Sequence, residues 1–226
     1  MSAGPVIVGI AGGSGSGKST IVAELVDLLG LGITTVIRHD WYYRDLSHLE
    51  LEDRTGVNFD HPSSLETELL VEHIMTLVGG NSVDAPYYNF STHTRSSSKI
   101  QLEPSRVLIL DGILTLAHEQ LRELMDIRIF VDTDVEKRLN RRLERDSGER
   151  GRSPASVIQQ FESTVLPMHH KFVEPSRAYA EITISGGHQD SATVKQLAFR
   201  VQELLDERSL STSCACAHEV GQAGSS

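Results

Sequence analysis

The sequence predicts an α/β fold in which a mostly parallel sheet is flanked by helices. Three observations point there. Short apolar runs alternate along the chain with longer helical patterns. The runs are nearly unbroken Val, Ile and Leu, as expected of strands covered on both faces. A length of 226 residues suits one generous domain.

In chain order, Val6–Ala11 reads as the first strand, and a helix over Thr20–Leu29 follows it directly. Thr34–Ile37 is the second strand. A helix over Leu65–Val78 carries Leu65, Leu69, Ile74, Leu77 and Val78 on one broad face, with Ser63 and Glu66 spaced as a capping box. Asn81–Leu102 holds two β-like runs, Ser82–Phe90 and Lys99–Leu102, separated by the polar stretch Ser91–Ser98, which reads as a projecting β-hairpin. Val107–Leu110 and Ile127–Val131 are further buried strands. Thr133 and Glu136 repeat the capping spacing before a helix over Val135–Arg145. Ser153-Pro154 supplies a cap and a preset first turn for a helix expected to end before Pro167. Glu181–Ile184 is the last strand, and Val194–Leu205 a closing helix.

A formal net charge of −10 argues against a general nucleic-acid or polyanion binder. No apolar run approaches the ~20 residues that span a bilayer, and Val6–Ala11 is too short for a secretory signal, so a cytoplasmic protein without a membrane partner is expected. Both cysteines, Cys214 and Cys216, lie near the C-terminus, so no disulfide framework is expected. With His218 they make three potential zinc ligands where a structural site takes four, and they read as an incidental tail.

Gly12-Gly13-Ser14-Gly15-Ser16-Gly17-Lys18-Ser19 matches G-x-x-x-x-G-K-[ST] in full, between a strand and a helix beginning at Thr20. Glycines let successive backbone N–H groups curl into a nest for phosphate oxygens. Lys18 can neutralise β/γ-phosphates, Ser19 can ligate Mg²⁺, and the following helix offers its positive dipole end. The chain is therefore expected to bind a nucleoside triphosphate and to have a P-loop NTPase fold. The Asn/Thr-Lys-x-Asp motif of a GTP switch is absent, and a motor or helicase would need more chain. A small-molecule kinase needs a base for the acceptor hydroxyl, a cationic lid and an acceptor pocket.

Asp40 follows the second strand at the carboxyl edge of the sheet, where it can serve as a base or help hold Mg²⁺, or be a simple loop acid. Asp111 ends another strand, as a metal-orienting acid or a solvated turn residue. Lys137, Arg138, Arg141, Arg142, Arg145, Arg150 and Arg152 crowd one stretch. Of these Arg142, Arg145, Arg150 and Arg152 read as a lid over the transferring phosphoryl group, while Arg138 and Arg141 are left without a role. Phe59-Asp60-His61-Pro62 and Tyr87-Tyr88-Asn89-Phe90 concentrate aromatics in a chain with few, either to sandwich a planar base or as ordinary packing; His93 and Arg95 offer polar contacts nearby.

Together these landmarks resemble the uridine kinases, within the uridine kinase/phosphoribulokinase group of P-loop kinases. The resemblance spans about Val6 to Leu205 and includes Gly12–Thr20, His39-Asp40 with Tyr42-Tyr43, and Asn58 to Pro62. Thr92 to Arg95, Phe130 to Asp134, Arg145-Asp146 through Glu149 to Arg152, Pro167-Met168-His169 and Glu174-Pro175 extend it. It implies that Asp40 is the base on a nucleoside 5′-hydroxyl and that Asp60, Arg142 and Gln160 hold the ribose. It also implies that Tyr88 and His93 contact a pyrimidine flanked by Phe59 and Phe90, and that Arg145, Arg150 and Arg152 form the lid. The implied reaction takes ATP or GTP with Mg²⁺ and converts uridine or cytidine to UMP or CMP in pyrimidine salvage. Ser19, Asp40 and Asp111 are the implied metal residues, and a homotetramer the implied assembly. His93 can face either a 4-oxo or a 4-amino group, so both nucleosides are expected to be accepted. Two departures stand out: Asn89 where relatives commonly carry Asp, and Asp111 where they commonly carry Glu. Residues 1–210 are thus expected to form a single kinase domain, with the hairpin at about 81–102, the lid at about 142–156, and 211–226 a disordered tail. The rivals are a kinase of the same group acting on a phosphorylated sugar or a pantothenate-like alcohol, and a nucleotide-binding regulator that lost catalysis.

Overall fold

The computed structural model describes residues 4–148, 151–186 and 191–220, the last nine of these by their backbone alone. Its centre is a five-stranded parallel sheet in the order β2-β5-β1-β6-β7, formed by β1 (Val6–Gly12), β2 (Thr34–Arg38), β5 (Val107–Asp111), β6 (Ile127–Asp132) and β7 (Ile182–Ser185). A two-stranded antiparallel hairpin, β3 (Val83–Asn89) with β4 (Thr94–Leu102), stands apart from it. The helices are α1 (Lys18–Leu29), α2 (Leu51–Thr55), α3 (Thr67–Val78), α4 (Glu119–Leu124), α5 (Val135–Gly148), α6 (Pro154–Gln160), α7 (Leu166–Met168), α8 (Glu174–Ser176) and α9 (Ser191–Val220).

Alternation along β1 shows why the strand is apolar throughout. Ile7 and Ala11 join the core shared with α3 and the hairpin, while Val6, Val8 and Ile10 join the core beneath α1 and α9. Both faces are covered, so every β1 residue is buried. A fully buried aliphatic side chain contributes about 1.5–3 kcal/mol, and the two cores together hold the sheet between its helical layers. The carboxyl ends of β1, β2, β5 and β6 therefore sit along one edge.

Four local expectations are corrected. Neither predicted capping box forms. Ser63 lies in a separate 3₁₀ turn, Pro62–Ser64, so α3 starts at Thr67, and the Glu66 carboxylate pairs with Arg95 at 2.7 Å. The Thr133 hydroxyl donates to the Ser16 carbonyl at 2.9 Å. In both places the helix begins later than the spacing predicts, and the capping side chain is held by a tertiary partner instead. The second hairpin strand begins at Thr94, inside the polar stretch read as a loop, because that end of β4 is solvated and needs no apolar alternation.

The helix from Pro154 does not stop before Pro167. Ser153 caps it as expected, accepting from the Ser156 N–H, but it continues through π-helical turns at Phe161–Val165 and His169–Val173. Each wider turn precedes a proline, Pro167 or Pro175, and relieves the clash its ring would make one α-turn back. Likewise α9 runs past Leu210 to Val220, since no Gly or Pro interrupts the chain before Gly221. The final six residues of the tail, and the side chains of Cys214, Cys216 and His218, lie outside the described residues.

A bulge at Pro86–Tyr88 aims the hairpin. Burial alternates at Val83 and Ala85, then the register shifts, so Tyr88 turns inward and Tyr87 outward. Arg95 ties the hairpin to the end of β2. Its Nε donates to the Tyr43 carbonyl at 2.9 Å and its Nη2 to the Tyr42 carbonyl at 3.2 Å, in addition to the Glu66 pair. Replacing Arg95 by Met strands the Tyr43 carbonyl and the Glu66 carboxylate, though Tyr42 O keeps the Glu66 N–H at 2.8 Å, and should lower unfolding stability by about 1–3 kcal/mol in chemical denaturation.

Candidate active site

β1 delivers Gly12 to the sheet edge, and the loop to Gly17 turns the chain into α1. Gly15 and Gly17 have φ of +78° and +96°, conformations that glycine adopts without strain. Space also demands glycine: a Cβ on Gly13 would lie 2.1 Å from Arg138 Nη1, and one on Gly15 2.4 Å from the Arg138 carbonyl oxygen. The first turn of α5 thus presses on the loop. On its other flank, Arg141 Nη1 donates to Ser16 O at 3.0 Å and Nη2 to Gly186 O at 3.0 Å, joining the loop to the end of β7.

Lys18 Nζ donates to the carbonyls of Gly12 at 2.9 Å and Gly13 at 3.2 Å, inside the cradle. Burial holds its ammonium below the usual lysine range, and the Asp111 and Asp40 carboxylates oppose that shift. Ser19 and Thr20 open the helix and are exposed.

Pairing of Arg38 with Asp111 sets the ends of β2 and β5 side by side. Asp40 lies in the 3₁₀ turn His39–Tyr42 just beyond β2, and Asp111 ends β5 with Oδ2 at 3.5 Å from Ser19 Oγ. Among the described residues no cluster of three His, Cys, Asp or Glu could hold a metal. A hydroxyl and one or two carboxylates beside a phosphate cradle are nonetheless the donor set that Mg²⁺ takes, since it keeps phosphate and water ligands. His39 anchors the turn: its Nε2 lies 3.2 Å from Thr67 Oγ1, which is 3.3 Å from His118 Nε2. A hydroxyl carries one proton, so one imidazole nitrogen accepts from it and the other donates.

The lid arginines converge on Asp146, which the resemblance includes as a landmark without assigning it a role. Asp146 is wholly buried, with Arg145 Nε at 2.9 Å, Arg142 Nε at 3.5 Å and Arg152 Nη1 at 3.8 Å. Sequence offered no clear signal for it, since Glu136, Glu144 and Glu149 stand among the same arginines. Arg142 also donates to Ser14 Oγ at 2.9 Å and to Gln160 Oε1 at 2.8 Å, and Arg152 donates to Gln160 as well. Arg142 and Gln160 are therefore brought together, and against the phosphate loop. Arg150 lies outside the described residues.

On the acceptor side, Phe59, Tyr88 and Phe90 meet around Tyr43, a second residue that had been given no role. Tyr43 lies 5.3 Å from Phe59, 5.2 Å from Tyr88 and 6.4 Å from Phe90 between ring centroids. His93, at a φ of +54° in the hairpin turn, stacks on Phe59 at 4.7 Å with an interplanar angle of 16°. The Tyr88 hydroxyl is buried and has no hydrogen-bond partner. Asp60 is buried beside this cluster; burial raises its carboxyl above the ordinary range, against the pull of Arg142 and Arg145. Asn89 accepts from the N–H groups of Ser91 at 2.9 Å and Thr92 at 3.3 Å, shaping the hairpin turn. Arg95, offered by the sequence as a pocket residue, instead serves the hairpin attachment.

The model of the phosphoribulokinase/uridine kinase family matches residues 7–192. The uridine kinase of Geobacillus kaustophilus is 43% identical over 210 residues, covering 93% of this chain and all of that protein. That of Bacillus subtilis is 42% identical with the same coverage. A solved structure described as a possible uridine kinase from Bacillus stearothermophilus superposes with a TM-score of 0.56 at 20% identity, covering 81% of this chain and 90% of that one, a likeness of fold.

Two buried histidines make stability depend on pH. Burial lowers His39 to about 3 and His169 to about 4, His169 being further depressed by the neighbouring Arg138. An unfolded histidine takes up its proton near pH 6.5. Between that pH and about 4 the unfolded chain binds protons that the folded protein does not, so stability present at pH 7 is lost as pH falls. Denaturation at pH 7 and pH 5 should differ by about 2 kcal/mol per histidine, and His169→Gln should remove its share.

Proposed function

The chain belongs to the phosphoribulokinase/uridine kinase family, and on that premise we propose that it transfers the γ-phosphate of ATP or GTP to the 5′-hydroxyl of uridine or cytidine, giving UMP or CMP. The observation that carries this reading is an intact triphosphate loop facing an aromatic pocket with a partnerless buried hydroxyl at Tyr88. A planar heterocycle with a polar edge matches that pocket. A phosphorylated sugar would call for cations in it, and the cations here gather on the loop side instead.

In this reading Asp40, beyond the β2 end, accepts the proton of the attacking 5′-hydroxyl. Lys18 leaves the Gly12 and Gly13 carbonyls for the phosphates, and Arg145, Arg150 and Arg152 neutralise charge as the phosphoryl group moves. Ser19, Asp40 and Asp111 would hold Mg²⁺, which when bound shields the phosphate oxygens. The 3.5 Å spacing of Ser19 and Asp111 leaves the shorter aspartate in reach of that role. Asp60, Arg142 and Gln160 bind ribose; Phe59 and Phe90 flank the base, and Tyr88 and His93 meet its polar edge. The proposal extends to a cytoplasmic homotetramer working in pyrimidine salvage.

A coupled assay with Mg·ATP and Mg·GTP against uridine, cytidine, adenosine, ribulose 5-phosphate and pantothenate tests the assignment. Turnover confined to the two pyrimidine nucleosides is expected, and turnover with another acceptor alone would discard the pocket assignment. Asp40→Asn should keep a near-normal KM for uridine while kcat falls about 10²–10⁴-fold. A near-normal kcat would remove Asp40 from the role of base. Arg152→Ala should lower kcat by about tenfold or more, with less change in uridine KM.

A further inference from the structure

Arg138 is the largest fully buried side chain of the described residues, and it is only 1% exposed. Its guanidinium lies directly against Gly13, close enough that no side chain could stand there, and its backbone carbonyl lies against Gly15. Yet Nε and Nη1 are buried and have no hydrogen-bond partner. The acids whose charges reach it are Glu174 and Asp132. Glu174 lies 3.2 Å from His169 and Asp132 lies 2.9 Å from Arg177. Phe161 faces the guanidinium at 6.0 Å from its ring centroid, which adds nothing for an N–H to bond. A buried cation with unmatched donors costs the fold stability, and such groups persist where the loaded state uses them.

We propose that Arg138 is a positioning residue of the triphosphate site, keeping two donors against Gly13 for the nucleotide-bound state. The inference rests on the kinase reading above. In the free protein Lys18 satisfies the Gly12 and Gly13 carbonyls. A triphosphate draws that ammonium away; the Gly13 carbonyl keeps the Ser16 N–H at 3.0 Å, but the loop loses the cation that tied Gly12 to Gly13. Arg138, with its unmatched donors against Gly13, is the neighbouring side chain able to hold the loop there. It also leaves a fixed positive charge beneath the anion, where the low dielectric strengthens it. Binding of the donor nucleotide and retention of the loop shape are thereby linked to α5, the helix that carries the lid arginines.

Arg138→Met keeps the length and apolar packing and removes the donors and charge; Arg138→Lys restores the charge. Thermal unfolding with and without ATP, and KM for ATP and uridine, are read on all three proteins. For Arg138→Met, KM for ATP should rise about tenfold or more with uridine KM within about twofold. The melting temperature without nucleotide should be unchanged or higher, and its rise on adding ATP should shrink. Arg138→Lys should recover part of the ATP affinity. An Arg138→Met protein that is insoluble, or that melts lower without nucleotide while keeping its ATP KM, would show a structural pillar and overturn the proposal. Wild-type protein that gains no stability from ATP would overturn the kinase reading itself, whereas equal gains in wild type and Arg138→Met would overturn only the role of Arg138.

Discussion

The catalytic half of this molecule depends on the places where a loop has no side chains. Gly13 and Gly15 lie so close to Arg138 that a single carbon on either would displace it or its helix. That bare loop lets α5 approach β1, and the approach brings the arginines of α5 over the phosphate cradle. Thr133, Arg141 and Gly186 close the other side through the Ser16 carbonyl and the end of β7. The loop is thus clamped between two elements distant in sequence. Its Gly15 and Ser16 carbonyls are bound by Arg141 and Thr133, and its Gly12 and Gly13 carbonyls by Lys18.

The second organising feature is an imbalance of charge. A chain with a net charge of −10 collects Lys18, Arg138, Arg141, Arg142, Arg145 and Arg152 around one cradle. The fold tolerates this by spending one wholly buried carboxylate, Asp146, on three guanidiniums. Asp40 and Asp111 act on Lys18, and Glu174 and Asp132 on Arg138, so each acid is shared among the cations around the cradle. On the acceptor side the logic reverses: aromatic faces dominate, Asp60 is buried, and charge is scarce.

Much of this was legible in the sequence. The buried central strands β1 and β5 read directly from Val- and Ile-rich runs, because burial on both faces leaves few polar positions, while β2, β6 and β7 kept enough Ile, Val and Phe to be read despite their Thr, Arg and Ser. The phosphate loop was legible because each glycine, the lysine and the serine answers a local geometric demand. Other features were not local. Ser63-x-x-Glu66 has the spacing of a capping box, but Glu66 has a better partner in Arg95 from the hairpin. Pro167 reads as a helix stop, yet a π turn ahead of it carries the helix on. Tyr87 and Tyr88 are indistinguishable in a strand until a bulge at Pro86 turns one inward. Asp146 and Tyr43 looked like bystanders because their importance lies in how many others converge on them.

Sequence by itself determined the layer architecture, the triphosphate chemistry, and the catalogue of acids, arginines and aromatics available to an acceptor site. These follow from periodicity and from motifs whose parts touch the same ligand. Tertiary structure alone decided which of those residues meet. It set Arg142 on Ser14 and Gln160, gave Arg95 to the hairpin, and wedged Arg138 beneath the phosphate loop. The physical reason is the reach and number of donors of arginine: five N–H groups on a long stem can satisfy partners from several elements. Spacing along one helix says where such a side chain begins, and only packing says where it ends.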